Sequence, residues 1–108
     1  MQEKFIKEIG RCIYGFGIKK RGNFLLIDGD FSYESGHGQG MGWIIDQEFI
    51  TSFLSAFGVS SFKETKGKLV YVTHSYDIIS RIDPIFKEDG KPFDIVAWSE
   101  NRRNISGQ

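Results

Sequence analysis

The chain has 108 residues, room for one ordinary domain, and 40% of them are apolar, including ten Phe, four Tyr and two Trp to fill a core. Fourteen basic and fourteen acidic side chains cancel, whereas a domain that lives on nucleic-acid phosphates usually carries a positive excess. A single cysteine, Cys12, excludes an intramolecular disulfide and any multi-thiolate zinc site. No stretch approaches the ~20 apolar residues that cross a bilayer, and the N-terminus carries Glu3 and Glu8 without a signal-peptide core. The expectation is a protein of the cytoplasm with no membrane partner.

The first predicted strand runs from Ile9 to Ile18 and ends at the polar run Lys19-Lys20-Arg21-Gly22-Asn23, whose Gly-Asn suits a hairpin turn. Phe24 to Tyr33 is the second. Its Leu25, Ile27, Phe31 and Tyr33 share one parity and Asp28, Asp30 and Ser32 the other, the alternation of a sheet with one wet face. After Glu34-Ser35 comes Gly36-His37-Gly38-Gln39-Gly40-Met41-Gly42-Trp43-Ile44-Ile45, and then Asp46, a good N-cap. From Gln47 the apolar residues Phe49, Ile50, Phe53, Leu54 and Phe57 make the stripe of a helix packed by one face, and Gly58 stands where a left-handed C-cap is expected.

Ser60 to Thr65 reads as a short helical turn, and Lys68 to Ser75, rich in β-formers, as a strand. Ile78 to Ile85 is another strand, cut short by Pro84. Lys87 to Pro92 is a loop, Phe93 to Trp98 a last strand or docking segment, and Ser99 to Gln108 a frayed tail. The order β-β-β-α-β-β-β predicts an α+β domain over residues 1–98: an antiparallel sheet of five or six strands with one main helix on one face. A free edge on an odd number of strands favours a homodimer or higher homo-oligomer.

The alternating glycines are the least ordinary feature. On an extended segment all of them lie on one face, with His37, Gln39, Met41 and Trp43 on the other. A strand face without side chains lets a flat ligand, a partner chain or the protein's own helix approach the backbone closely. The run matches neither G-x-x-x-x-G-K-[ST] nor G-x-G-x-x-G, so it is not a phosphate loop of the familiar kinds. Asp28, Asp30 and Glu34 with His37 could be drawn as a metal cluster, although a solvated strand face explains them as well. Cys12 with His37 or His74 could be drawn as a thiol hydrolase, but no flanking motif supports it. Basic clusters occur at Lys19, Lys20 and Arg21 and at Lys63, Lys66 and Lys68, the second near the potential stacking faces of Tyr71, His74 and Tyr76.

Three stretches together, Gly38-Gln39-Gly40-Met41-Gly42-Trp43, Phe57-Gly58-Val59-Ser60-Ser61-Phe62 and Lys66-Gly67-Lys68-Leu69-Val70-Tyr71-Val72, resemble a group of small bacteriophage and prophage accessory proteins. In that group a glycine-rich strand precedes a helix ending in a G-V-x-S-[WF] turn and a G-K strand. The resemblance covers residues 9–98 and implies a viral protein acting in the host cytoplasm, with no activity attached to particular residues. By analogy with other small phage proteins, it implies an antagonist of host defence that binds a defence protein or sequesters a nucleotide signal.

The expectation is therefore a binding protein without catalytic residues, cofactor or metal. Its predicted site has Gly38, Gly40 and Gly42 admitting the target, Gln39 hydrogen-bonding it with His37 on the same face, Trp43 stacking on it, and Lys66 or Lys68 meeting its charge. A nucleic-acid-binding accessory protein using the basic clusters is the alternative, and a metal-dependent enzyme on Asp28 and Asp30 the second alternative.

Overall fold

A computed structural model describes residues 4–106. Its strands are β1 (Ile6–Cys12), β2 (Gly17–Arg21), β3 (Phe24–Tyr33), β4 (Gly38–Met41), β5 (Leu69–His74), β6 (Ile79–Pro84) and β7 (Phe93–Asp94). Helix α1 (Gln47–Phe57) follows β4, and α2 (Ile95–Ser106) follows β7. The fold is α+β, as the alternation of patterns predicts, with antiparallel pairing throughout in the order β2-β3-β1-β5-β6-β7 and β4 on the other side of β3.

The long strand β3 organises the sheet. Its first half pairs with β2 (Ile18 opposite Ile27), and its second half pairs with β1 (Gly10 opposite Tyr33). The predicted strand from Ile9 to Ile18 is thus two strands, interrupted where Phe16 dives into the core and its N–H donates to Thr65 Oγ1 at 2.8 Å. β4 lines the opposite side of β3, with Gly40 facing Asp30.

The sheet is curled, and one contact proves it. β4 and β5 lie three strand spacings apart, about 14 Å if the sheet were flat. Yet Gln39 of β4 donates from Nε2 to the carbonyl oxygen of Ser75, just past β5, at 3.0 Å. The concave face must therefore close on itself at this end. Across the rest of that face lies α1, whose Phe49, Phe53, Ala56 and Phe57 are buried. Phe16 is the hub of the core, with ring centroids 5.0 Å from Phe31 and Phe53 and 5.8 Å from Phe57.

Both ends of α1 follow the sequence signals. Asp46 Oδ1 accepts from the N–H of Phe49 at 2.9 Å, and Gly58 adopts φ 69° at the C-cap. A Cβ on Gly58 would run into the carbonyl oxygen of Asp89, so this glycine answers both to backbone conformation and to close packing. Gly22 has φ 60° but open space around it. Gly58→Ala is expected to lower the unfolding free energy by about 2 kcal/mol or more in urea titration, and Gly22→Ala by about 1 kcal/mol. Equal losses would show that the Asp89 contact contributes nothing.

The C-terminal expectation requires correction. Residues 99–106 are not a frayed tail but continue α2, while Gly107 and Gln108 lie outside the described residues. The helix is polar along most of its length, so periodicity does not reveal it. Tertiary contacts hold it instead: Asp94 Oδ1 caps the N–H of Ala97 at 2.9 Å, and Trp98 meets Phe49 edge-to-face at 5.0 Å. Arg102 reaches Asp46 Oδ2 at 2.6 Å and also bonds Glu48, locking α2 to the start of α1.

Candidate functional site

Along the concave face the side chains change character. Phe57, Phe31, Tyr33 and His74 form a column of stacked rings that leads from beneath α1 to the closed end of the sheet. Successive centroids are 6.1, 6.2 and 3.9 Å apart, and the ring planes lie within 17° of parallel. Tyr33 on β3 can touch His74 on β5 because the intervening strand offers Gly10. A Cβ there would sit 2.9 Å from Val72 Cγ2 and 3.2 Å from the rings of Phe31 and Tyr33. Where the column ends, the core becomes polar.

At that end His74 Nε2 and Glu8 Oε2 are 2.6 Å apart, with side chains only 11% and 7% exposed. The other carboxylate oxygen of Glu8 accepts from the N–H of Ser35 at 3.0 Å. Burial pushes the Glu8 carboxyl up, but the bonds from His74 and Ser35 outweigh it and hold the group below its ordinary value. Burial and the neighbouring Glu8 charge push the Tyr33 hydroxyl above its ordinary range, so it stays protonated. That hydroxyl donates to Gln39 Oε1 at 2.6 Å. The Ser75 carbonyl can only accept, which fixes the Gln39 amide with its nitrogen toward Ser75 and its oxygen toward Tyr33.

These groups floor a cavity of about 500 Å³. Lys4, just before β1, and Ile6 at its start line it, with Ser35 and His37 from the β3–β4 turn, Gly38 from the start of β4, and Tyr76 from the β5–β6 turn. Its size is that of a small-molecule site. The Tyr76 ring, 97% exposed, stands at the mouth.

Of the residues predicted from sequence, His37, Gly38 and Gln39 line this cavity. The alternation over Gly36–Trp43 is as expected, with Gly40 and Gly42 exposed on the convex side and Met41 buried. Gly40 and Gly42 therefore lie on the side of β4 away from the cavity, while Gly38 borders it. On the convex side a Cβ on Gly40 would sit 2.8 Å from Asp30 Oδ1, so that carboxylate leans across the glycine strip. Trp43 packs against the core and shares no face with the glycines. Lys66 and Lys68 stand at the far end of β1, where Cys12 bonds to Lys68 and Gly67 through its backbone. The structure does not bring them to His37 and Gln39.

The metal drawing does not assemble either. Asp28 and Asp30 are exposed on the convex face, Glu34 accepts from the N–H of Ile9, and no group of three His, Cys, Asp or Glu among the described residues could hold an ion. Cys12 is fully buried, 3.7 Å from Thr65 Oγ1, and burial raises its thiol pKa, the environment of an inert packing cysteine.

His74 and Tyr76, read from sequence as potential stacking faces, also line the cavity, whereas Glu8, Tyr33 and the pairing of Glu8 with His74 escape a reading based on sequence alone. Their separations along the chain match no motif, and only strand register brings them together. The one available signal was parity: Glu8 lies in phase with Gly10 and Cys12 on β1, and His74 with Val70 and Val72 on β5, a polar residue on each buried face. No protein-family model, curated protein or solved structure matches the chain.

Proposed function

We propose that this chain is a binding protein that takes a small molecule of about mononucleotide size into the closed end of its sheet and holds it there. One observation carries the reading: a Glu8–His74 ion pair and a Tyr33–Gln39 hydrogen bond, joined by the stacking of Tyr33 on His74, floor a cavity of about 500 Å³. Buried ion pairs seldom stabilise a fold more than apolar residues of the same shape would, so a second task accounts better for their presence here. Within the resemblance to phage accessory proteins, the cavity favours sequestering a nucleotide over occupying the surface of a defence protein.

Native mass spectrometry of the purified protein, before and after denaturation, tests this directly. The expected result is a mass a few hundred daltons above the chain that is lost on unfolding, or one acquired on adding nucleotides. Gln39→Ala is expected to weaken retention at least about tenfold by freeing the β5–β6 turn, at a stability cost of about 1 kcal/mol. Unchanged retention in this variant would remove the cavity from the reading.

The 2.6 Å contact between His74 and Glu8 favours a second reading, in which Glu8 orients His74 as an acid–base catalyst. Conversion of the bound molecule on incubation, abolished by His74→Gln, would replace sequestration with turnover.

A further inference from the structure

Hydrogen-bonding capacity in the cavity is unevenly spent. At the floor, the Tyr33 hydroxyl proton is used on Gln39, and the Gln39 amide nitrogen on the carbonyl of Ser75 at 3.0 Å, with that of Tyr76 at 3.5 Å. His74 Nε2 is taken by Glu8. The acceptors are not used up. A carboxylate offers about four lone-pair positions, and Glu8 spends them on the Ser35 N–H, the Ser35 hydroxyl and His74, which leaves about one. Gln39 Oε1, which accepts from Tyr33, has a second lone pair. The mouth has the opposite polarity, with Lys4 and His37 beside the apolar and aromatic surfaces of Ile6 and Tyr76.

We infer that the ligand is a guanine-type nucleotide: a flat ring that enters edge-first with adjacent N–H donors toward Glu8 and Gln39 and leaves its phosphate at Lys4 and His37. This rests on the binding reading above and gives its ligand class. Guanine places a ring N–H and an exocyclic amine side by side on one edge. Adenine offers an acceptor and one amine there, leaving a buried acceptor of the floor opposed by another acceptor, the mismatch that polar sites reject most strongly. Tyr76 supplies a face for the ring. An ionised Glu8, held so by His74 and Ser35, accepts its N–H group better than a neutral carboxyl would, while Gln39 Oε1 accepts the other.

Calorimetric titration with GMP, IMP and AMP tests the inference on the unmodified protein. IMP keeps the ring N–H but lacks the amine. The expected order is GMP, then IMP, then AMP, with at least about tenfold between the first and last. Glu8→Gln, which presents a donor where an acceptor stood, is expected to erase the preference; should it fail to fold, the three ligands still decide. AMP binding as tightly as GMP, with shifts in the backbone amides of Ser35–Gln39 and Ser75–Tyr76, would overturn the guanine assignment and leave the cavity reading intact. Binding of all three without shifts in those amides would overturn both. Binding of none overturns the guanine assignment, and the mass-spectrometric search for a retained molecule then decides the cavity reading separately.

Discussion

Phe31→Ala is expected to cost about 4 kcal/mol of unfolding free energy. Phe31 is fully buried, with its ring 5.0 Å from Phe16, 6.1 Å from Phe57 and 6.2 Å from Tyr33. Its removal leaves a void that neighbours cannot fill without moving either β3 or α1. A domain of this size has roughly 5–15 kcal/mol in all, so the variant should still fold at low temperature and melt far earlier. The same ring joins the core to the cavity, since Tyr33 stacks on it from one side and on His74 from the other. Ligand retention is therefore expected to fall even at temperatures where Phe31→Ala remains folded. Phe49→Ala, equally buried but outside the column, is the control: it should lower stability comparably while sparing retention. Equal loss of retention in both would mean that general softening, not the column, is responsible. Denaturant titration and native mass spectrometry on the two variants give both numbers.

How far the sequence reveals this molecule depends on the range of the interactions involved. α1 is legible to its caps because Asp46, the Phe49–Phe53–Phe57 stripe and Gly58 are local signals that agree. β3 is legible for the same reason from Ile27 onward, since Ile27, Phe31 and Tyr33 are buried and Asp28, Asp30 and Ser32 exposed as parity predicts, whereas Leu25, of the same parity, is exposed where the strand pairs with β2 beyond the core. α2 is not legible, because its stability comes from Trp98 on Phe49 and from Arg102 on Asp46, contacts with residues about fifty positions away. The site lies between these cases. The Gly36–Trp43 run draws attention to β4 and correctly divides its faces, but the glycines draw the eye to the convex side. The chemistry lies on the concave side with Gln39, whose partners Tyr33 and Ser75 come from other elements. Glu8 and His74 are 66 positions apart, and nothing short of the β1–β5 register pairs them.

That pair also sets how the fold should respond to mutation and to acid. Replacing His74 with Leu strands an ionised Glu8 in a nearly closed site with Ser35 but no cation beside it, which is expected to cost about 3–5 kcal/mol. Replacing both, Glu8→Leu with His74→Leu, removes the charge as well as its partner and is expected to recover most of that loss. If the double variant is as weak as the single one, the penalty comes from lost packing on Tyr33 rather than from the stranded charge. The pH dependence follows from the direction of the Glu8 shift. Its carboxyl is held below the ordinary value in the folded state, so the unfolded chain takes up the proton first as pH falls. The stabilisation is present in full above the unfolded value of about 4.3 and drains away below it, down through the lower folded value. Asp46, held low by the Phe49 N–H and by Arg102 against the opposing effect of burial, adds a loss of the same sign. Urea midpoints between about pH 5 and pH 3 should therefore fall steeply for the unmodified chain and less steeply for Glu8→Gln, which has no proton to bind there. Parallel slopes would mean that Glu8 titrates alike in both states and that its contact with His74 contributes no net stability.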